Sequence, residues 1–172
     1  MTKPPAVILA GGKATRMGGG DKGLRTIGGK PLLDHVLDRM RPQSGPIALN
    51  ANGDAARFAD YGLPVLPDTL PDHPGPLAGV LAGLDWAAAK GHDAIVTAAA
   101  DTPFFPADLV DRLRQAAGPS GLALAATREG EKIWRQPTFG LWPVALRDDL
   151  RDALQNGLRK IVMWTDQHDA GL

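Results

Sequence analysis

Ala6-Val-Ile-Leu-Ala-Gly-Gly-Lys-Ala-Thr-Arg-Met-Gly-Gly-Gly-Asp-Lys-Gly-Leu24 is the stretch from which the rest of the sequence is read. Its first five residues, Ala6 to Ala10, are apolar without a break, as in a strand buried on both faces. The strand cannot continue beyond them. Six of the sixteen residues from Leu9 to Leu24 are glycine, so the backbone can bend sharply and approach a ligand closely. Backbone N–H groups exposed in such a loop suit an anion, and Lys13, Arg16 and Lys22 add cations to it. Strand, glycine loop and cations together point to a phosphate site; the plainer reading is a connector loop. A Walker A loop is excluded, because Gly29-Lys30 runs into Pro31 and Leu24 stands where its first glycine would be. Gly18, Gly20 and Gly23 satisfy G-x-G-x-x-G, but they begin well past the strand, whereas a dinucleotide fold places them at the strand–helix junction.

Outward from this loop the sequence alternates strands and helices. Leu24 to Ile27 reads as a short strand ending at Gly28-Gly29, and Pro31 as the first residue of a helix that buries Leu32, Leu33, Val36, Leu37 and Met40. Ile47 to Leu49 is the next strand, followed by a helix from an Asp54 cap to Tyr61 that Gly62 ends. Pro64 to Leu66 is a short strand. Leu77, Val80, Leu81, Leu84 and Ala88 mark an amphipathic helix, and Ala94 to Ala98 a central parallel strand. A helix around Leu109–Leu113, a strand at Leu122–Ala126, and two runs expected to pair antiparallel with each other, Ile133-Trp134 and Thr138 to Trp142, come next. Helices over Ala145–Gln155 and Arg159–Asp166 complete the pattern. Such alternation predicts an α/β fold, a three-layer, doubly wound, mostly parallel sheet with helices on both faces. In these sheets ligands sit at the carboxyl ends of strands. Gly11-Gly12, Asn50, Asp68 and Asp101 each follow a separate predicted strand.

Composition bounds the function. The 172 residues are 44% hydrophobic, enough for one ordinary α/β domain with a sizeable core. Nineteen basic residues balance nineteen acidic ones, so nothing suggests a protein that coats nucleic acid or a membrane surface. There is no cysteine, which excludes disulfides, thiolate catalysis and cysteine zinc sites. His35, His73, His92 and His168 have no metal-ligand spacing and read as structural or exposed. Met-Thr-Lys-Pro-Pro at the start is not a signal peptide, and no apolar run approaches a membrane span, so the expected location is cytoplasmic.

The ordered motifs carry a resemblance. Leu9-Ala-Gly-Gly12, Arg16-Met-Gly18, Asp21-Lys22 and Gly29-Lys-Pro-Leu32 are followed by Asn50-Ala-Asn52, Pro67-Asp68, Pro74-Gly-Pro-Leu-Ala-Gly79, Asp101-Thr-Pro103 and Gln136-Pro-Thr138. The set, from about Ala6 onward, resembles the nucleotidyltransferase family, and within it the molybdenum cofactor guanylyltransferases (MobA type). Gly12 looks more like the guanylyl than the cytidylyl branch. The resemblance implies transfer of GMP from Mg·GTP to molybdenum-molybdopterin with release of pyrophosphate. Alternatives are a cytidylyltransferase or sugar-phosphate nucleotidyltransferase of the same fold, or a non-catalytic nucleotide-binding module. Asp101 and Lys22 argue against a mere binder, which needs no metal ligand at the α-phosphate.

By the same resemblance Leu9, Ala10, Gly11, Lys22, Asn50, Asp68 and Asp101 contact the nucleotide. Arg16, Lys22 and Asp101 are the catalytic set, Arg16 and Lys22 gripping the triphosphate. Asp101 is the Mg²⁺ ligand, with phosphate and water oxygens completing the shell; an Asp-x-Pro turn or helix cap is the plainer reading. Asn50 and Asp68 read the nucleotide, with the division between base and ribose left open; an Asx turn and a loop aspartate are the alternatives. Gln136, Pro137 and Arg159, with Arg135 and Lys160 near them, face the acceptor, although Arg159 and Lys160 also fit a solvated helix face. Expected partners are the two substrates and molybdenum cofactor insertion proteins, and the expected state is a monomer or weak homo-oligomer. Family members continue into a final strand with an Asn-x-Asn type motif, whereas this sequence stops at His168-Asp-Ala-Gly-Leu172. The expectation is therefore a single nucleotidyltransferase domain over residues 1–172 that lacks that strand.

Overall fold

A computed structural model describes residues 3–10, 26–51, 55–68, 77–103, 105–117 and 121–155. Its strands are β1 (Ala6–Leu9), β2 (Thr26–Ile27), β3 (Lys30–Pro31), β4 (Ile47–Asn50), β5 (Val65–Leu66), β6 (Ala94–Ala99), β7 (Ala123–Glu129) and β8 (Lys132–Pro143). Its α-helices are α1 (Leu32–Met40), α2 (Leu77–Ala89), α3 (Leu109–Ala116) and α4 (Arg147–Gln155). Six strands form one sheet in the order β5-β4-β1-β6-β8-β7, and β2 and β3 form a separate hairpin. β5, β4, β1 and β6 are mutually parallel, while β8 runs antiparallel to both β6 and β7. The expected mostly parallel, doubly wound sheet is thus present, with an antiparallel pair added at one side.

The two faces follow from side-chain alternation along each strand. In β1, Ala6 and Ile8 join a core with α1 and α3, whereas Val7 joins the opposite core with α2 and α4. The connection from β1 through α1 to β4 moves one way across the sheet. The connection from β5 through α2 moves back past β1 to β6. Parallel crossovers are right-handed, so reversing direction requires changing face, and α1 and α2 lie on opposite faces. β1 is therefore the strand at which the winding reverses.

Several local expectations change. Pro31 closes the β2–β3 hairpin instead of entering the helix. Gly28 and Gly29 both have positive φ, as a two-residue primed turn demands, and Pro31 pairs with Thr26, leaving α1 to start at Leu32. Ala55–Tyr61 is a 3₁₀ helix, ended by Gly62 at φ 64° as foreseen. α2 is not amphipathic over its first two turns, because every residue from Leu77 to Leu84 is buried. It packs on the sheet and against α4, where Arg151 Nη2 meets Asp85 Oδ1 at 2.5 Å. β6 is central but parallel only to β1. The runs Ile133-Trp134 and Thr138–Trp142 are one strand, β8, paired with β7. Pro137 does not break it, because the register jumps from Ala125↔Gln136 to Leu124↔Gly140. A residue without an N–H is tolerated at such a bulge. The Asp54 cap and the Arg159–Asp166 helix lie outside the described residues.

Candidate functional site at the strand ends

The parallel ladder gathers the polar motifs. Ala10 N–H donates to Asn50 C=O (2.8 Å), Ala100 N–H to Leu9 C=O (3.1 Å), and Ala51 N–H to Leu66 C=O (3.0 Å). These bonds lock the carboxyl ends of β5, β4, β1 and β6 side by side. Asn50 is the last residue of β4, while Asp68 and Asp101 each stand two residues past their strands. Asn50 and Asp101 therefore flank Leu9-Ala10 across two strand spacings, about 10 Å. The reversal at β1 makes this the crevice where doubly wound sheets bind ligands.

On one side of the crevice Asn50 is 2% exposed, and its Nδ2 donates to Asp68 Oδ1 (2.9 Å) and to Leu66 C=O (3.0 Å). The roof is α2. A Cβ placed on Gly79 would lie 2.3 Å from Asn50 Oδ1 and 3.0 Å from Leu9 Cδ2, so only glycine lets the helix approach this closely. Leu9 turns its side chain toward the α2 core. The ladder uses Leu9 C=O and Ala10 N–H, so the first backbone group beyond it is the Ala10 carbonyl.

On the other side Asp101 is half-buried and accepts from Thr102 Oγ1 (3.2 Å). Its donor set is oxygen alone, which suits Mg²⁺ held by one carboxylate plus phosphates and water. No group of three or more metal-ligating side chains occurs among the described residues. Behind Asp101, α1 braces the backbone. Arg39 Nη1 donates to Phe105 C=O (2.9 Å), Gln43 Nε2 to Pro106 C=O (3.2 Å), and Val110 N–H to Gln43 Oε1 (3.0 Å). An open cleft of about 420 Å³ beside this brace is lined by His35, Asp38, Arg39, Pro42, Pro103 and Ala107. None of the expected site residues among those described lines it, and the strand-end crevice fits the chemistry better.

Of the residues expected from sequence, the fold thus brings together Leu9, Ala10, Asn50, Asp68 and Asp101. Gln136 lies on β8 ahead of Gly140, which faces Thr97, so it lies toward the end of the sheet where β6 finishes. Pro137 occupies the bulge on the same strand. Gly11, Lys13, Arg16, Lys22, Arg159 and Lys160 lie outside the described residues. Arg39 and Gln43 were missed, and Gly79 was quoted in a motif without a role. Gly79 with Gly83 had a visible signal, two glycines four apart in a helical pattern. Arg39 and Gln43 had none, since their partners are 63 to 67 residues away.

Known proteins bear on this arrangement. The model of the MobA-like NTP transferase domain matches residues 6–170. A molybdenum cofactor guanylyltransferase of Nitrobacter hamburgensis is 52% identical over 167 residues, covering 94% of this chain and 79% of that protein. One of a Bradyrhizobium species is 51% identical over 170 residues, covering 97% and 79%. Among solved structures, molybdopterin-guanine dinucleotide biosynthesis protein A from Archaeoglobus fulgidus superposes with a TM-score of 0.71 at 22% identity, over 95% of this chain and 79% of that one. A 2-C-methyl-D-erythritol 4-phosphate cytidylyltransferase from Thermus thermophilus gives 0.69 at 20%, over 93% and 80%. The two structures share the fold alone. With the family model spanning nearly the whole sequence and half of all positions identical to curated members, the chain belongs to the MobA-like NTP transferase family.

Proposed function

We propose that this protein transfers GMP from Mg·GTP to molybdenum-molybdopterin, releasing pyrophosphate and yielding the guanine dinucleotide form of the cofactor. The observation that carries this reading is the strand-end crevice. Asn50 and Asp68 stand on one side of the Leu9-Ala10 backbone and Asp101 on the other, as an elongated nucleotide lying across the sheet requires. The name shared by relatives at about half identity supports guanine as the base and the molybdenum cofactor as acceptor.

The nucleotide site comprises Leu9, Ala10, Gly11, Lys22, Asn50, Asp68 and Asp101. Asp68 lies where the nucleoside would rest, and a carboxylate accepts from the N1–H and N2–H₂ edge of guanine, which adenine lacks. Arg16 and Lys22 neutralise the triphosphate, Arg by a two-pronged grip and Lys as a point charge. An oxygen of the acceptor phosphate bonds to the α-phosphorus as the bond to the β-phosphate bridging oxygen breaks. Such a transfer is catalysed mainly by positioning and charge neutralisation. Asp101 would hold Mg²⁺, which when bound offsets negative charge on the phosphates. Gln136, Pro137 and Arg159 form the acceptor side. Residues 1–172 act as one nucleotidyltransferase domain.

The test is thermal stability with Mg²⁺ and each ribonucleoside triphosphate. At about a hundred times its dissociation constant, GTP should stabilise the protein by roughly 2.7 kcal/mol, more than ATP, CTP or UTP. An equal or larger effect of CTP would replace the guanylyl reading with a cytidylyl one.

A further inference from the structure

We infer that Gln43 and Arg39 are positioning residues, which hold Asp101 in place by tying the chain that follows it to α1. The inference rests on the proposed role of Asp101 and concerns what fixes that carboxylate. On the amino side of Asp101 the ladder is the anchor, where Ala100 N–H donates to Leu9 C=O at 3.1 Å. On the other side the chain leaves the sheet and runs to α3 through Pro103 and Pro106, which have no N–H to give. The carbonyls there are caught by α1. Arg39 Nη1 donates to Phe105 C=O at 2.9 Å, and Gln43 Nε2 to Pro106 C=O at 3.2 Å.

Gln43 is 9% exposed, and both ends of its amide are engaged. Nε2 also donates to Arg39 C=O at 3.0 Å, and Oε1 accepts from Val110 N–H at 3.0 Å. Turning the amide over would set its oxygen against two carbonyls and its hydrogens against an N–H, so the partners fix its orientation. Val110 is the second residue of α3, and the first N–H groups of a helix find no partner inside it. Asp108 at the cap position makes no side-chain cap bond, so Gln43 supplies that acceptor from another helix. A single buried side chain thus fixes a carbonyl before α3 and an N–H in its first turn. Phe105, 6% exposed, is seated on Phe139 with ring centroids 5.6 Å apart. Asp101 therefore lies on a short span tied to β1 at one end and to α1 at the other. The Thr102 hydroxyl that meets its carboxylate belongs to the same span and moves with it. Displacing a reacting group by about 1 Å from a distance can cost about a hundredfold in rate.

Calorimetric titration with GTP, without and with Mg²⁺, tests the inference on Gln43→Met, which keeps the length of the side chain and loses its bonds. Arg39→Met, at an exposed position, serves if that variant does not fold. The quantity read is the factor by which Mg²⁺ raises GTP affinity. In each variant it should shrink about tenfold, the scale on which support behind a metal ligand acts, while affinity for metal-free GTP stays within about twofold. The rate of GMP transfer at saturating Mg·GTP should fall about tenfold to a hundredfold. In an Asp101→Ala background Gln43→Met should change neither value further, because no carboxylate is left to place. A variant that only melts earlier, with the Mg²⁺ factor of the unaltered protein, would reduce the brace to a structural clamp and overturn the inference. Equal weakening of metal-free GTP would overturn it too, since the whole crevice would then have been distorted. An Mg²⁺ factor that survives Asp101→Ala would instead take the metal away from Asp101, and failure of the unaltered protein to bind GTP would remove the proposed function; either result removes the inference with it.

Discussion

Asp101 shows how much a single residue must do at a strand end. It emerges from β6 beside the backbone of Leu9, and its carboxylate accepts from the Thr102 hydroxyl at 3.2 Å. Asp101→Ala should lower GMP transfer about a hundredfold or more, the scale of losing a major transition-state contact. Its thermal unfolding should stay near that of the unaltered protein, because the brace from Arg39 and Gln43 holds residues 105 to 110 independently of it. Loss of folding would return Asp101 to the role of a turn residue. Tyr61 gives a second prediction far from the crevice. Burial, then a hydrogen bond and the charge of Asp34, then the charge of Asp60, push its phenol well above its ordinary value. The folded state thus holds this proton more tightly than the unfolded one. The resulting stability is fully present below about pH 10 and falls as pH rises beyond that. Tyr61 is the sole tyrosine in the sequence, so ultraviolet difference absorbance follows it alone. Its ionisation should come well above pH 10 while the protein is folded, and Tyr61→Phe should flatten the alkaline loss of stability.

Elements carried most of what the sequence made legible. β1, β4, β5 and β6 were readable because apolar runs between glycine and proline punctuation have few other uses. Asn50, Asp68 and Asp101 were legible because strand ends in such a sheet converge. Three features were not. The α2 pattern suggested one apolar face, but α4, from about seventy residues later, packs against it and adds Leu150 and Leu154 to the same core. Pro137 suggested a break, since the bulge that tolerates it depends on pairing with β7. The Asn50–Asp68 bond depends on β5 lying beside β4, which spacing does not reveal. α2 also supports a prediction. Gly79 and Gly83 lie on the same face of the helix, over different neighbours. A Cβ on Gly79 meets Asn50 Oδ1 at 2.3 Å and Cγ at 2.9 Å. On Gly83 it meets Val7 Cγ2 (2.7 Å) and Cβ (3.3 Å) and Ile95 Cδ1 (2.9 Å). Alanine adds up to about 1 kcal/mol of helix propensity at either position, against roughly 1–3 kcal/mol of overpacking. Both variants should fold with a modest loss of stability. Gly79→Ala should also displace Asn50 and weaken GTP binding, while Gly83→Ala should leave it intact. Calorimetric titration with Mg·GTP separates them, and equal affinities would mean that α2 does not set the Asn50 position.

At the scale of the whole molecule the sheet has two parts, a parallel set β5-β4-β1-β6 that carries the crevice and an antiparallel pair β8-β7 beside it. The seam between them is β6 against β8, and a polar residue closes it from inside the core. Thr97 is 0% exposed, and its hydroxyl oxygen accepts from Trp142 Nε1 at 2.9 Å and from Gly140 N–H at 3.2 Å. Trp142, itself fully buried, reaches this bond because Gly140 has no Cβ to block the indole; one there would lie 2.8 Å from the ring. Thr97→Val keeps the shape but leaves both donors buried without an acceptor, at a cost of about 1–3 kcal/mol. For a protein of this length that lowers the melting temperature by about 2–12 °C. The nucleotide site should be spared, because Asn50 and Leu9 lie on strands that do not touch β8, Asp68 follows another such strand, and Asp101 stands past the paired part of β6. The variant should therefore melt earlier, yet gain the same stabilisation from Mg·GTP as the unaltered protein. If that gain disappeared while the melting temperature held, the seam would be part of the nucleotide site and the division of the sheet into two parts would be wrong.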